Sequence, residues 1–132
     1  MKTLPVIALA SLLAACSSAQ TPTASLDGEV FYLQRIALPP SATLSVSLQD
    51  VSLADAPAVV LAQQSGQING QVPLPFKLSY QPDQIQPGHR YAVSARIEEG
   101  GRLLFINTEQ YSVRLDGSDV QPLRIRVNPA HP

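Results

Sequence analysis

The sequence predicts an all-β fold, an antiparallel sandwich of about eight short strands, and three observations carry the prediction. Apolar and polar residues alternate with a period of two in five separate segments, the pattern of strands with one face buried. Strong turn formers stand between these segments: Pro39-Pro40, Asn69-Gly70, Pro87-Gly88, Gly100-Gly101 and Asp116-Gly117. Twelve prolines in 132 residues leave little room for a long helix.

Taken in order, Glu29 to Ile36 is a less regular first strand. Leu44, Val46 and Leu48 then alternate with Thr43, Ser45 and Ser47 in a clear second one. Ala58 to Gln63 is again irregular. It overlaps a stretch, Ser52 to Ala62, with a helix-capping pattern of Ser52 and Asp55, which Pro57 and the β-branched pair Val59-Val60 weaken. Phe76, Leu78 and Tyr80 mark the next strand, followed by Tyr91, Val93, Ala95 and Ile97. Glu98 to Gly101 reads as a tight hairpin into Arg102 to Asn107. Tyr111, Val113 and Leu115, then Leu123, Ile125 and Val127, complete the set.

The segment "IQPGHRYAVSARI", Ile85 to Ile97, makes the sandwich immunoglobulin-like in expectation. It resembles the tyrosine corner of such folds, with Tyr91 donating its hydroxyl to nearby backbone where the chain passes between sheets. An ordinary buried tyrosine at a strand start is the simpler alternative.

Hydrophobic residues make up 45% of the chain and charged ones 14%, with a net charge of -1, which fits one globular domain. No basic footprint for a phosphate backbone is present, so nucleic acid is not an expected partner.

The single cysteine sits at a telling place. Met1 to Thr3 carry Lys2, and Leu4 to Leu13 form an apolar run of ten, too short to span a ~30 Å hydrocarbon core. Leu13, Ala14, Ala15 and Cys16 then match a bacterial lipobox, in which the cysteine sulfur receives a diacylglyceryl group and becomes the first mature residue. Two or three acyl chains, at roughly 0.8 kcal/mol per buried methylene, anchor a protein stably to a membrane. Ordinary signal cleavage after Ser17-Ser18-Ala19 is the competing expectation and would release a soluble chain from Gln20. Ser17, rather than Asp, after the cysteine favours the outer membrane under the enterobacterial sorting rule. The polar run Ser17 to Ser25 reads as a tether.

The chain offers little else for chemistry. The two histidines are His89, in a turn, and His131, in a tail expected to fray, and one cysteine cannot build a metal cluster, so no metal and no cofactor are expected. Counting alone leaves a Ser, His and acid triad open, but no GxSxG elbow fixes a nucleophile. Glu98-Glu99 is a solvated turn pair, and no catalytic residue or small-molecule substrate is assigned. The arginines gather late. Arg90, Arg96, Arg114, Arg124 and Arg126 fall on the polar phase of their strands, so they read either as a stripe for an acidic partner or anionic headgroups, or as a solvated face balanced by Glu98, Glu109 and Asp119.

Three strings, "RIALPPSATLSVSLQDVSLADAPAVVLA" (Arg35 to Ala62), "PFKLSYQPDQIQPGHRYAVSARIEEGGRLLFINT" (Pro75 to Thr108) and "YSVRL", together resemble the YbaY-like lipoproteins and the YscW-type lipoprotein chaperones of type III secretion. The resemblance implies a lipid-anchored sandwich facing the periplasm, with secretion-linked members piloting an outer-membrane secretin; only Cys16 carries over as a functional position.

The expected organisation is a signal peptide over 1–15, the lipidated Cys16 and tether over 16–25, the sandwich over 26–128 and a tail over 129–132. The expected function is a non-catalytic binding or pilot-type module for an outer-membrane or secretion component, captured by an exposed sheet edge or the arginine face. A structural envelope lipoprotein contacting glycan or membrane without a dedicated client is the alternative, and a lipid-anchored enzyme the third reading.

Overall fold

The computed structural model describes residues 2–5 and 22–131. Cys16, most of the apolar run and most of the tether therefore lie outside the described residues.

Alternation decides the strands, as expected. They are β1 (Ala24–Phe31), β2 (Thr43–Asp50), β3 (Val59–Gln67), β4 (Leu74–Tyr80), β5 (Tyr91–Glu99), β6 (Arg102–Ile106), β7 (Tyr111–Val113), β8 (Leu123–Arg126) and β9 (Asn128–Pro129). The only helical element among the described residues is a single 3-10 turn, Pro82–Gln84. β4 shows the pattern in pure form: Leu74, Phe76, Leu78 and Tyr80 are buried, while Pro75, Lys77 and Ser79 are exposed.

Two sheets face each other. The smaller has the order β4-β1-β8, and the larger runs β3-β2-β5-β6-β9 with β7 beside the first residues of β5. Pairing is antiparallel throughout except between β1 and β8, which run parallel. Leu26, Val30, Leu78 and Ile125 of one sheet and Val46, Leu48, Val93 and Ile97 of the other fill the space between them with scarcely any exposure. Val127 crosses between the layers, fully buried, and donates its N–H to Phe31 C=O at 2.9 Å.

Several local expectations change. β1 begins at Ala24, where it pairs with Tyr80, and ends at Phe31, so it takes in residues read as tether and stops short of Ile36. Its alternation is masked by Gly28 at a buried position. A Cβ there would stand 2.4 Å from Phe76 Cζ and 2.7 Å from Leu123 C=O, so the missing side chain makes room for a ring. Ser52 to Ala62 forms no helix; it holds a turn and then β3. Leu115 does not extend β7, because it adopts φ 62° in a loop where the Asp119 carboxylate accepts the N–H groups of Arg114 and Leu115. The tail is not frayed at its start: Asn128 and Pro129 pair with Ile106 and Phe105, and Ala130 N–H donates to Leu104 C=O at 2.9 Å.

The sandwich has two poles. Ala24, Tyr80, Asp50 and Tyr91 mark the end where the chain enters, and Phe31, Thr43, Glu98 and Gln67 mark the other. The eight residues of β1 separate the poles by about 23 Å.

Candidate functional site

The residues singled out from sequence disperse rather than converge. The arginine stripe does not form, because period two tells which face of a strand is polar but not which sheet the strand joins. Arg96 stands on β5 in the large sheet and pairs with Glu98, whereas Arg124 stands on β8 in the small one. Arg124 pairs with Glu29 at 3.0 Å and lies 4.6 Å from the centroid of the Phe31 ring.

Tyr91 is buried, and its hydroxyl binds backbone five residues upstream, as a tyrosine corner does. The direction is the reverse of that expected: Gln86 N–H donates to the Tyr91 oxygen at 2.8 Å.

His89 has a definite partner. Its Nδ1 lies 2.6 Å from Asp50 Oδ2, and Ser52 Oγ donates to Asp50 Oδ1 at 2.5 Å. The His89 hydrogen bond, followed by that from Ser52, holds the Asp50 carboxyl down at about 2. A serine, a histidine and an acid thus do meet, but in the wrong order for nucleophilic catalysis. The hydroxyl hydrogen goes to the carboxylate, and Ser52 Oγ accepts the Arg90 N–H at 2.8 Å, so no imidazole nitrogen is there to take its proton. The cluster joins the chain after β2 to the start of β5. Among the described residues no three His, Cys, Asp or Glu side chains are placed to hold a metal ion.

Sheet edges, a second expectation, are unequally protected. On β4, Pro75 has no N–H to offer, and Lys77 N–H is taken by Gln64 Oε1 at 2.8 Å. On β8, Arg126 N–H donates to Tyr111 Oη at 2.8 Å. β3 is the long edge of the large sheet, paired with β2 on one side only.

An apolar depression lies at the pole away from Ala24. It is a groove of about 290 Å³ between the 36–39 segment and β6, lined chiefly by Ile36, Leu38, Leu104, Phe105 and Pro129 and rimmed by Glu99, Arg102 and His131. Its floor is rigid. Tyr32 stacks on Phe105 with ring centroids 4.3 Å apart and planes 7° off parallel, and Tyr32 Oη donates to Ile36 C=O at 2.5 Å, which sets the groove wall. Burial pushes the Tyr32 hydroxyl pKa up, so the group stays a donor. Ile36 itself is 56% exposed beside this depression. The volume falls at the low end of the ~300–1,000 Å³ range of ligand pockets, which suits one or two apolar side chains of a peptide better than a whole metabolite.

Sequence reasoning passed over this groove although a signal was present. Leu103, Leu104, Phe105 and Ile106 form an unbroken apolar run in a strand, and with period two some of them must face outward.

The described residues thus form a β-sandwich with an apolar surface groove at one pole. The model of the type III secretion system lipoprotein chaperone (YscW) family matches residues 21–125, and the chain belongs to that family. It is 46% identical over 83 residues to the uncharacterized lipoprotein YbaY of Escherichia coli (strain K12), a match covering 62% of this chain and 44% of that protein. The structure of an alternative pilotin from the type II secretion system of Vibrio cholerae superposes with a TM-score of 0.77 at 46% identity, over 84% of this chain and 100% of the pilotin.

Proposed function

We propose that the protein is a lipid-anchored pilot-type module of the bacterial envelope: acylated at Cys16, held at the outer membrane with its sandwich in the periplasm, and binding a secretion component as a non-catalytic chaperone. The likeness to a lipoprotein chaperone family and to a secretion pilotin supports the role. The observation on which the binding mode rests is the groove. An apolar residue of an extended or helical client segment seats between Ile36 and Leu104 on the Phe105 ring, while Glu99 and Arg102 select polar neighbours at the rim.

The test is capture in the native envelope. A photo-crosslinking residue at position 36 is expected to trap one outer-membrane secretion protein, and Ile36→Asp, which changes an exposed position, is expected to reduce co-purification at least tenfold without lowering the melting temperature. A folded, acylated chain that crosslinks to no protein while secretion is active would overturn the proposal in favour of an accessory lipoprotein with no client.

A further inference from the structure

Large apolar side chains stand exposed at the pole where the chain enters the sandwich. Leu53 is 74% exposed, Val59 60%, Val60 50% and Val120 85%. Different elements bring them there. Val59 and Val60 open β3 opposite Asp50 and Gln49, and Leu53 follows Ser52, which is bonded to Arg90 just before β5. Val120 sits on the loop between β7 and β8, next to Asp119, whose charge adds to the larger effect of burial in raising the Tyr80 pKa, and next to Gln121, which accepts Asp27 N–H. Thr23, the residue before β1, lines a shallow depression with Leu61 and Tyr80, so the chain enters amid these residues.

We infer that this rim is the face that rests on the bilayer, with Leu53, Val59, Val60 and Val120 entering the interfacial zone of a zwitterionic leaflet. The inference rests on the proposed acylation of Cys16. Six residues, 17–22, separate Cys16 from Thr23, and the seven steps between them span at most about 25 Å. The nine residues of β3 or β5 already cover about 27 Å. Because only a fully extended tether would match the length of the sandwich, the entry pole is held closer to the surface than the other pole, where Leu33 and Ile36 stand exposed. Tethering makes weak apolar contacts sufficient, because contact becomes intramolecular.

Charge excludes an electrostatic basis for the contact. Arg90, Arg114 and His89 share this pole with Asp50, Asp55, Asp83 and Asp119, and among the described residues nothing there resembles the basic cluster that anionic lipid recruits. The consequence is an orientation: the groove at Ile36 faces the periplasm, open to a client.

The sequence contains no tryptophan, so a single introduced one is an unambiguous reporter. Full-length chains carrying Val60→Trp or Leu33→Trp, purified acylated, are reconstituted into phosphatidylethanolamine and phosphatidylcholine vesicles containing dibrominated acyl chains. Val60→Trp is expected to be quenched at least threefold more than Leu33→Trp, to the same extent when anionic lipid is added. Equal quenching at both positions, none at either, or quenching only with anionic lipid would overturn the orientation. A concentration-dependent blue shift of Val60→Trp in the soluble Cys16→Ala chain would assign the rim to a second copy instead and equally overturn it. Intact mass separates the two failures: without acyl mass the anchor itself falls, and with acyl mass but no differential quenching only the seating does.

Discussion

Asp50 shows how a residue that looks catalytic can serve connectivity. Its carboxylate collects His89 and the hydroxyl and N–H of Ser52, and that ring of hydrogen bonds fixes the exit of β2 against the entry of β5. The folded carboxyl has a pKa of about 2, below its ordinary 3.8, so folding favours the ionised form. The linkage follows in sign: the stabilisation is fully present above about pH 4 and is lost as pH falls toward 2. Melting temperatures of the native chain and of Asp50→Asn are expected to differ at pH 6 and to converge as pH drops from 4 to 2, whereas a gap unchanged at pH 2 would show that the carboxylate charge plays no part. Other residues act by similar local means. Tyr91 Oη accepts Gln86 N–H, a bond to partly buried backbone that contributes about 1 kcal/mol, and Gly28 contributes by absence, leaving the volume that Phe76 fills.

Strands were legible where one face is apolar and the other polar, as in β2, β4 and β5, because burial on one side alone imposes period two. They were less legible where that condition fails. β1 hides its period behind Gly28, β6 has four consecutive apolar residues so that neither face reads as polar, and β9 is two residues whose only reason to be a strand is a distant partner. Sheet membership left no trace in the alternation, and this is why arginines on β5 and β8, in phase along the sequence, finish on different sheets. Edge protection is likewise tertiary: Gln64 reads as an ordinary polar residue of β3 until its side chain is seen to occupy the Lys77 N–H of β4. Gln64→Ala removes the acceptor and leaves the β4 edge open. The Lys77 amide is expected to exchange with solvent at least tenfold faster in the variant, while the Val46 amide in central β2 keeps its protection. An unchanged Lys77 rate would mean that water replaces the side chain without loss.

For the molecule as a whole, the Val127 crossover closes one flank. β8 belongs to the small sheet and β9 to the large one, so three consecutive residues, Arg126, Val127 and Asn128, carry the chain across the core. Val127 N–H binds Phe31 in the first layer, and Ala130 N–H binds Leu104 in the second. β9 therefore does two jobs: it covers the outer edge of β6, and with Pro129 and His131 it forms one wall of the apolar groove. Ending the chain after Val127 separates these jobs from the fold. The crossover residue stays buried and bonded to Phe31, so the sandwich is expected to survive with a loss of about 1–3 kcal/mol from the missing backbone pairs. What changes is the surface. Leu104, Phe105 and Ile106 become a bare apolar edge beside exposed Ile36, and such an edge pairs with its own kind. Sedimentation of the truncated Cys16→Ala chain is expected to show concentration-dependent dimers or larger species where the untruncated Cys16→Ala chain does not. Ile36→Asp in the truncated chain is expected to restore the monomer by placing a charge against the edge. If the truncated chain sediments as a monomer throughout, β9 guards no adhesive edge, and the apolar run of β6 exists for the groove alone.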